Sequence, residues 1–264
     1  TEDKYPSLTG YVGEPTINIV IMILIIVGGI GFLTWDDICT NRWHFKKYRM
    51  QSKVILVTSV ILIIVPAIFF FLFDFTGLPP GEKILASLFQ SVTPRTAGFN
   101  TADLTAMTES SKAIMILLML VGGSPGSTAG GIKTTTLAVL ILNAFSVCRK
   151  KNDTEVYGRR LECSAVKSAS TIAVIYFLLF FIGGIIISTA EGMPLSACLY
   201  ETASAVGTVG LTLGVTPQLS VFSQFILIVL MYLGRVGGLT LIYAAISNKN
   251  QSGAKLPLEK ITVG

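Results

Sequence analysis

The chain has 264 residues, of which 52% are hydrophobic and 13% are charged, and its mean hydropathy is +0.70. Soluble globular domains carry about 25% charged residues, so this composition excludes an ordinary soluble domain. The net charge of +5 would by itself also suit a nucleic-acid-binding protein. The basic residues, however, lie in short segments between apolar runs, so we attribute them to orientation in a membrane and expect no nucleic-acid partner.

Five apolar runs have about the length that a helix needs to cross ~30 Å of hydrocarbon. They cover residues 17–33, 54–73, 114–147 (with an interruption), 166–188 and 221–246. Lipid admits only segments whose backbone groups are hydrogen-bonded internally. The runs therefore predict an all-α membrane protein that crosses the plasma (inner) membrane several times and is surrounded by membrane lipid.

Two short motifs occupy equivalent places in the chain. The first follows a short apolar stretch at residues 84–92, and the second follows a similar stretch at residues 195–206. In both cases the order is membrane helix, half-length helix, Gly-centred extended stretch and membrane helix, which is the layout of a pore loop. The residues of the two motifs are Thr96, Ala97, Gly98, Phe99, Thr208, Val209, Gly210 and Leu211.

The Gly at the centre of each motif indicates what the loops are for. Glycine tolerates backbone angles that turn carbonyl groups toward an axis, and a ring of such carbonyls can replace the water shell of a monovalent cation. Each half-length helix would point its partially negative C-terminal end at the pore, which favours a cation. The alternative is that these glycines only make tight turns in external loops.

Positive charge predicts the orientation of the chain. It is concentrated in residues 34–53, in residues 148–167 and in the C-terminal tail, and it is sparse in the other connections. Because short basic loops stay in the cytoplasm, we expect the N-terminus of this chain outside and its C-terminus in the cytoplasm. Both Gly-centred loops then lie on the outer face.

The alignment of Gly98 with Gly210 divides the chain into repeats. We expect residues 1–53 to hold the last helix of an incomplete second repeat and a cytoplasmic loop, residues 54–165 a third repeat with a broken helix, and residues 166–264 a fourth repeat with a tail. Counting back from the first membrane run places its own filter at or before Thr1. The alternative is that residues 17–33 are an independent anchor helix.

The interruption of the third apolar run is the second chemical feature. It contains proline and several glycines between segments that are apolar on both sides, and non-helical backbone at membrane depth is tolerated only where it is buried in protein or lines a cavity. We interpret it as a polar gate loop below the filter, with a structural kink as the alternative. A phosphate loop fits less well, because Ile132 separates Gly131 from Lys133 and no strand precedes the segment. The gate residues are Gly122, Gly123, Ser124, Pro125, Gly126, Ser127, Thr128, Gly130, Gly131 and Lys133.

Arg235 is the third feature, since it lies inside the last apolar run. A charge at this depth is costly and usually faces a cavity or a partner. We expect it either to place positive charge beside the ion pathway or to form an ion pair, for instance with Glu201.

Residues 89–101, residues 122–136 and the segment around Gly210 and Arg235 resemble the third and fourth repeats of the Trk/Ktr/HKT superfamily of potassium transporters. The final residues 259–264 are similar to the end of the bacterial Ktr membrane subunit. The resemblance covers nearly the whole chain, but the first repeat and the front of the second are absent. It implies repeated helix–pore loop–helix units around a pseudo-fourfold pore.

The resemblance also implies a function and partners. It implies potassium bound at Thr96, Ala97, Gly98, Thr208, Val209 and Gly210, uptake with or without sodium coupling, and no organic cofactor on this chain. The partners implied are the N-terminal repeats, a second copy in a homodimer and a cytoplasmic nucleotide-binding regulatory ring. No pair of carboxylates, triad or metal cluster suggests an enzyme. The alternatives are the membrane subunit of an ATP-driven cation pump and a sodium or poorly selective channel.

Overall fold

The computed structural model describes residues 7–42, 44–151 and 153–237. Helices form nearly all of the regular structure in these residues, which confirms the predicted all-α fold class. In chain order the α-helices are α1 (Pro15–Ile30), α2 (Phe32–Asn41), α3 (Met50–Phe73), α4 (Pro80–Val92), α5 (Glu109–Leu120), α6 (Thr134–Cys148), α7 (Cys163–Glu191), α8 (Leu195–Val206) and α9 (Val221–Val236). Short 3₁₀ turns lie at Thr9–Tyr11, Phe45–Lys47 and Thr216–Gln218.

The predicted membrane runs correspond only in part to single helices. Within the described residues α3 and α7 are long and apolar enough to cross a membrane alone, with mean hydropathies of 3.0 and 2.5. Helices α6 and α9 are apolar but shorter. The third run is broken between α5 and α6, as its interruption predicted, and the part of the last run beyond residue 237 lies outside the described residues.

The first apolar run was predicted to extend too far. Helix α1 ends at Ile30 because Gly31 adopts φ 90° and ψ 146°, angles that glycine tolerates and other residues rarely adopt. The chain then bends by 98°. Residues 32–41, most of which were predicted as a basic loop, form α2 instead. The second basic segment also contains structure, an antiparallel hairpin of β1 (Glu155–Val156) and β2 (Arg159–Arg160).

In each predicted repeat the first helix packs against the two helices that follow it. Helix α3 packs against α4 and α5 in the first, and α7 packs against α8 and α9 in the second. Helix α5 packs against α8 and joins the two units. The core at this junction contains the fully buried side chains of Met115, Met119, Tyr176 and Val206.

The two units also share a capping contact. The carboxylate of Asp74, which follows α3, accepts a hydrogen bond of 3.0 Å from the N–H of Thr108, the N-cap of α5. The carboxylate of Glu191, the last residue of α7, accepts one of 3.1 Å from the N–H of Ser220, the N-cap of α9. In each unit an acidic side chain at the end of the first helix therefore holds the start of the last helix.

Candidate ion pathway

Both predicted filter motifs follow directly on a half-length helix. Helix α4 ends at Val92 and α8 ends at Val206. The backbone then takes the same course twice: φ is 65° at Thr96 and 76° at Gly98, and it is 53° at Thr208 and 93° at Gly210. Positive φ at threonine is strained by roughly 1–3 kcal/mol. Two loops that carry this strain at the same position are built to the same backbone geometry.

The hydrogen bonds of the second motif show which way its carbonyl groups point. The N–H of Thr208 donates to the Ala205 carbonyl at 3.0 Å, and that of Val209 donates to the Ser204 carbonyl at 2.8 Å. The N–H of Gly210 donates to the Ser204 hydroxyl at 3.1 Å. In a trans peptide the N–H and the preceding C=O point in opposite directions.

The carbonyls of Gly207, Thr208 and Val209 therefore all point away from α8. In the first motif the N–H of Ala97 donates to the Thr93 carbonyl at 3.2 Å, so the Thr96 carbonyl points away from α4 in the same manner. None of these four carbonyl oxygens accepts a hydrogen bond from the residues that the structure describes. Successive free carbonyls on one side of a loop are suited to coordinate a cation.

The two motifs lie against each other. A Cβ atom built on Gly98 would lie 2.3 Å from the carbonyl oxygen of Val209 and 3.3 Å from the Cα of Gly210. A separation this short admits only glycine at position 98. The structure therefore brings together the two sets of carbonyls that the sequence placed in separate loops.

The last residue of each motif takes another role. The Phe99 carbonyl accepts a hydrogen bond from the Thr93 hydroxyl, so that oxygen is already engaged. The Leu211 side chain is 3% exposed and belongs to the hydrophobic core. Both residues therefore anchor the ends of the motifs.

Residues 121–133 form a closed loop between α5 and α6. Its base is joined by hydrogen bonds from the N–H of Gly122 to the Ile132 carbonyl (2.9 Å) and from the N–H of Ile132 to the Leu120 carbonyl (3.1 Å). The hydroxyls of Ser124 and Thr134 lie 2.9 Å apart and are buried. We call residues 121–133 the gate loop, after the role that the sequence predicts for this segment. In the described residues the only regular strands are those of the hairpin at residues 155–160, so the strand that a phosphate loop requires does not precede it.

The gate loop contacts both filter motifs. A Cβ atom on Gly130 would lie 2.2 Å from the Thr208 hydroxyl oxygen, and one on Gly122 would lie 3.4 Å from the Thr96 methyl group. The Cα of Gly207 lies 3.4 Å from a Cβ built on Gly131. The glycines of this loop thus permit its backbone to approach the start of each filter strand.

The gate loop is also held by the bend between α1 and α2. The N–H of Ser124 donates to the Gly29 carbonyl at 2.9 Å, and the N–H of Phe32 donates to the Gly126 carbonyl at 3.3 Å. A Cβ atom on Gly31 would lie 2.4 Å from the Pro125 carbonyl oxygen. The backbone at Gly31 therefore lies so close to Pro125 at the apex of the loop that no side chain fits between them.

Arg235 holds the gate loop from α9. Its Nη1 donates to the Thr128 carbonyl at 2.6 Å, while Lys133 Nζ donates to the Ala129 carbonyl at 2.6 Å. The suggested ion pair of Arg235 with Glu201 is wrong. The Glu201 carboxylate instead accepts hydrogen bonds from the Thr212 hydroxyl (2.6 Å) and the Leu213 N–H (3.0 Å), which brace the segment after the second motif.

One buried charge beside the filter was not predicted as a site residue. Arg95 directly precedes Thr96 and is 4% exposed. Arg95 lies within residues 89–101, the segment whose resemblance to the third repeat was recognised in the sequence. A single arginine among polar residues, however, carries no signal that it is buried.

Comparison with known proteins places this geometry in a family. The model of the TrkH family, described as cation transport protein, matches residues 4–253. The chain belongs to this family. The resemblance to the Trk/Ktr superfamily that the sequence motifs carried is thereby confirmed.

Several curated TrkH-family relatives cover most of this chain. It is 35% identical over 266 residues to the Ktr system potassium uptake protein B of Bacillus subtilis, covering 98% of this chain and 59% of that protein. It is 36% identical over 256 residues to the potassium/sodium uptake protein NtpJ of Enterococcus hirae, covering 93% of this chain and 56% of that protein. The chain thus spans somewhat more than half the length of these relatives.

A solved structure shows the same fold. The crystal structure of the potassium transporter TrkH from Vibrio parahaemolyticus superimposes with a TM-score of 0.74 at 20% sequence identity, over 92% of this chain and 54% of that one. At this identity the likeness establishes the fold alone. It confirms that the helices, half-length helices and loops described above have the arrangement of a TrkH-family membrane transporter.

Proposed function

We propose that this chain forms half of a potassium uptake pathway, in which the carbonyls of the two Gly-centred motifs line a selectivity filter. The observation that carries the proposal is the row of free carbonyls at Gly207, Thr208 and Val209, of which the Val209 oxygen lies against the backbone of the other motif at Gly98. The curated relatives are described as potassium or potassium/sodium uptake proteins, which supports a monovalent cation as the transported ion.

The filter needs four strands to surround an ion, and this chain supplies two. The other two strands come from N-terminal repeats joined to this chain or from a second copy. We call the assembly with four strands the complete pore. Bound potassium is coordinated in it by carbonyls from Thr96, Ala97, Gly98, Thr208, Val209 and Gly210, and transport is conduction down a gradient, with sodium as a coupling ion to be tested.

We propose that the gate loop blocks the pathway below the filter. It contacts the start of each filter strand through Gly122 and Gly130, and Arg235 holds its Thr128 carbonyl. A cytoplasmic nucleotide-binding ring would act on this loop from the basic face of the protein, with the N-terminus of the chain outside, the C-terminus inside and the transporter present as a homodimer.

The test is ion flux through the complete pore in liposomes. We expect potassium flux without ATP and a permeability ratio that favours potassium over sodium. Flux that requires ATP would instead identify the membrane subunit of a pump. Equal permeability to potassium and sodium would identify a poorly selective channel. This alternative is specific, because the Enterococcus hirae relative is described as a potassium/sodium uptake protein.

A further inference from the structure

The two filter motifs differ in one charge. Aligning Thr96 with Thr208 places Arg95 at the position that Gly207 occupies in the second motif. A Cβ atom on Gly207 would lie 2.1 Å from the Met119 carbonyl oxygen, so no side chain fits there. Only one of the two strands therefore carries a cationic side chain at its base.

Arg95 is buried, and no carboxylate of residues 7–42, 44–151 and 153–237 pairs with it. Its Nη2 donates to the Ser59 hydroxyl of α3 at 3.1 Å, and the same nitrogen lies 4.0 Å from a Cβ built on Gly29 of α1. Its Nε and Nη1 are buried and have no hydrogen-bond partner in the part of the chain that the structure describes. No acidic group from that part lies within ion-pair distance of it.

The charge lies where it opposes a bound cation. The N–H of Arg95 donates to the Val92 carbonyl at 3.1 Å, so the residue that carries this charge is joined to the C-terminal end of α4, whose partial negative charge would favour the ion. Its guanidinium extends from there toward Ser59 of α3. The second motif keeps the negative end of α8 without an opposing side chain. Cations therefore experience two electrostatically unequal strands.

From this asymmetry we propose that the charge of Arg95 lowers the affinity of the filter for potassium. This rests on the proposed function. Coulomb's law gives a roughly tenfold change in a binding constant for a unit charge that acts over about 10 Å at an effective dielectric constant of about 20. We take this as the scale of the expected effect, because Arg95 is adjacent to Thr96 in the chain. Conduction requires binding that is weak enough for the ion to leave, and the Arg95 charge supplies that weakening from behind one strand.

The first test replaces the charge in the complete pore. The potassium concentration that half-saturates flux, and the concentration that half-stabilises the protein against heat, are measured for Arg95→Gln and for Arg95→Lys, which retains the charge. We expect both concentrations to fall about tenfold in Arg95→Gln and to stay within about twofold of wild type in Arg95→Lys. An unchanged concentration in Arg95→Gln, or the same fall in Arg95→Lys, would overturn the proposal.

A second pair keeps Arg95 in place and decides the matter if Arg95→Gln does not fold. Ser59→Asp sets a carboxylate beside Nη2 and neutralises the charge, whereas Ser59→Asn has the same shape and does not. We expect the fall in half-saturating potassium in Ser59→Asp alone, and equal values in the two variants would contradict the proposal. The serine variants of Gly98 and Gly210 distinguish this outcome from failure of the proposed function. If both variants leave potassium selectivity intact, the filter assignment itself is at fault.

Discussion

The carbonyl oxygen of Val209 lies 2.3 Å from the position that a Cβ atom on Gly98 would occupy. Residues from two loops that are separated by helices α5 to α8 therefore share one contact in which only glycine fits. This contact sets the spacing of the two sets of carbonyls that we propose to line the filter.

Replacement of Gly98 by Ala or Ser should damage selectivity more than the same change at Gly210. Both glycines have positive φ, so each replacement costs roughly 1–2 kcal/mol in backbone strain. At Gly98 the new Cβ atom would also clash with the Val209 carbonyl oxygen. At Gly210 it would not, because the nearest atom to a Cβ there is 3.9 Å distant. The measurement is the potassium-to-sodium permeability ratio of the complete pore. Unchanged ratios in both serine variants would refute the filter assignment.

Shortening the gate loop within residues 123–131 should raise ion flux and weaken control by the cytoplasmic partner. The loop contacts both filter strands through its glycines, so its removal opens the pathway beneath them. Gly126→Ala serves as a control, because it strains the backbone of the loop at φ 75° without shortening it. A Cβ atom at this position has no other atom closer than 3.8 Å. If flux falls in the deletion while the protein remains folded, the loop has a structural role only.

Arg235→Gln should raise flux with little loss of folding. The Arg235 guanidinium donates a 2.6 Å hydrogen bond to the Thr128 carbonyl at an exposed site, where such a bond contributes about 0.5–1.5 kcal/mol. Its loss should favour the open gate by about twofold to tenfold. Arg235→Lys, which retains the charge, serves as the control. A folded Gln variant with wild-type conductance would assign Arg235 a purely structural role.

Gly31→Ala should separate α2 from the gate loop. The new methyl group would lie 2.4 Å from the Pro125 carbonyl oxygen, whereas a Cβ on Gly28, three residues earlier, has no atom closer than 4.0 Å. We therefore expect a lower thermal unfolding midpoint and altered gating in Gly31→Ala, and near-normal behaviour in Gly28→Ala. Equal effects of the two substitutions would show that the bend does not depend on this contact.

The purified chain should not conduct on its own under conditions in which it is monomeric. Two strands leave filter carbonyls and the gate loop facing lipid, where each unsatisfied polar group costs several kcal/mol. Flux should appear when N-terminal repeats are joined to the chain, or when a second copy supplies two more strands. Potassium-selective flux from dilute monomer would contradict this expectation.

The sequence predicted the parts of the pathway that depend on local patterns. The short apolar stretches predicted helices α4 and α8. The glycines Gly98 and Gly210 predicted the extended segments after these helices. The bend at Gly31 could not be predicted in this way, because the apolar run continues through it and the bend is fixed by contact with Pro125. The position of Arg95 likewise depends on Ser59, which is 36 residues away.

The partner of Arg235 shows a second limit of sequence reasoning. A charge inside an apolar run usually has a partner, and Glu201 was the acidic residue suggested from the sequence. The structure satisfies Arg235 with the backbone carbonyl of Thr128 and satisfies Glu201 with Thr212 and Leu213. A backbone acceptor carries no sequence signature, so only the fold reveals this arrangement.

The most direct test of the central claim is to locate the ion. The complete pore, crystallised with rubidium in place of potassium, should show anomalous density between the two motifs, within coordination distance of carbonyls at Thr96, Thr208 and Val209. Density elsewhere on the pathway, with none between Gly98 and Gly210 in a protein that still conducts, would contradict the account.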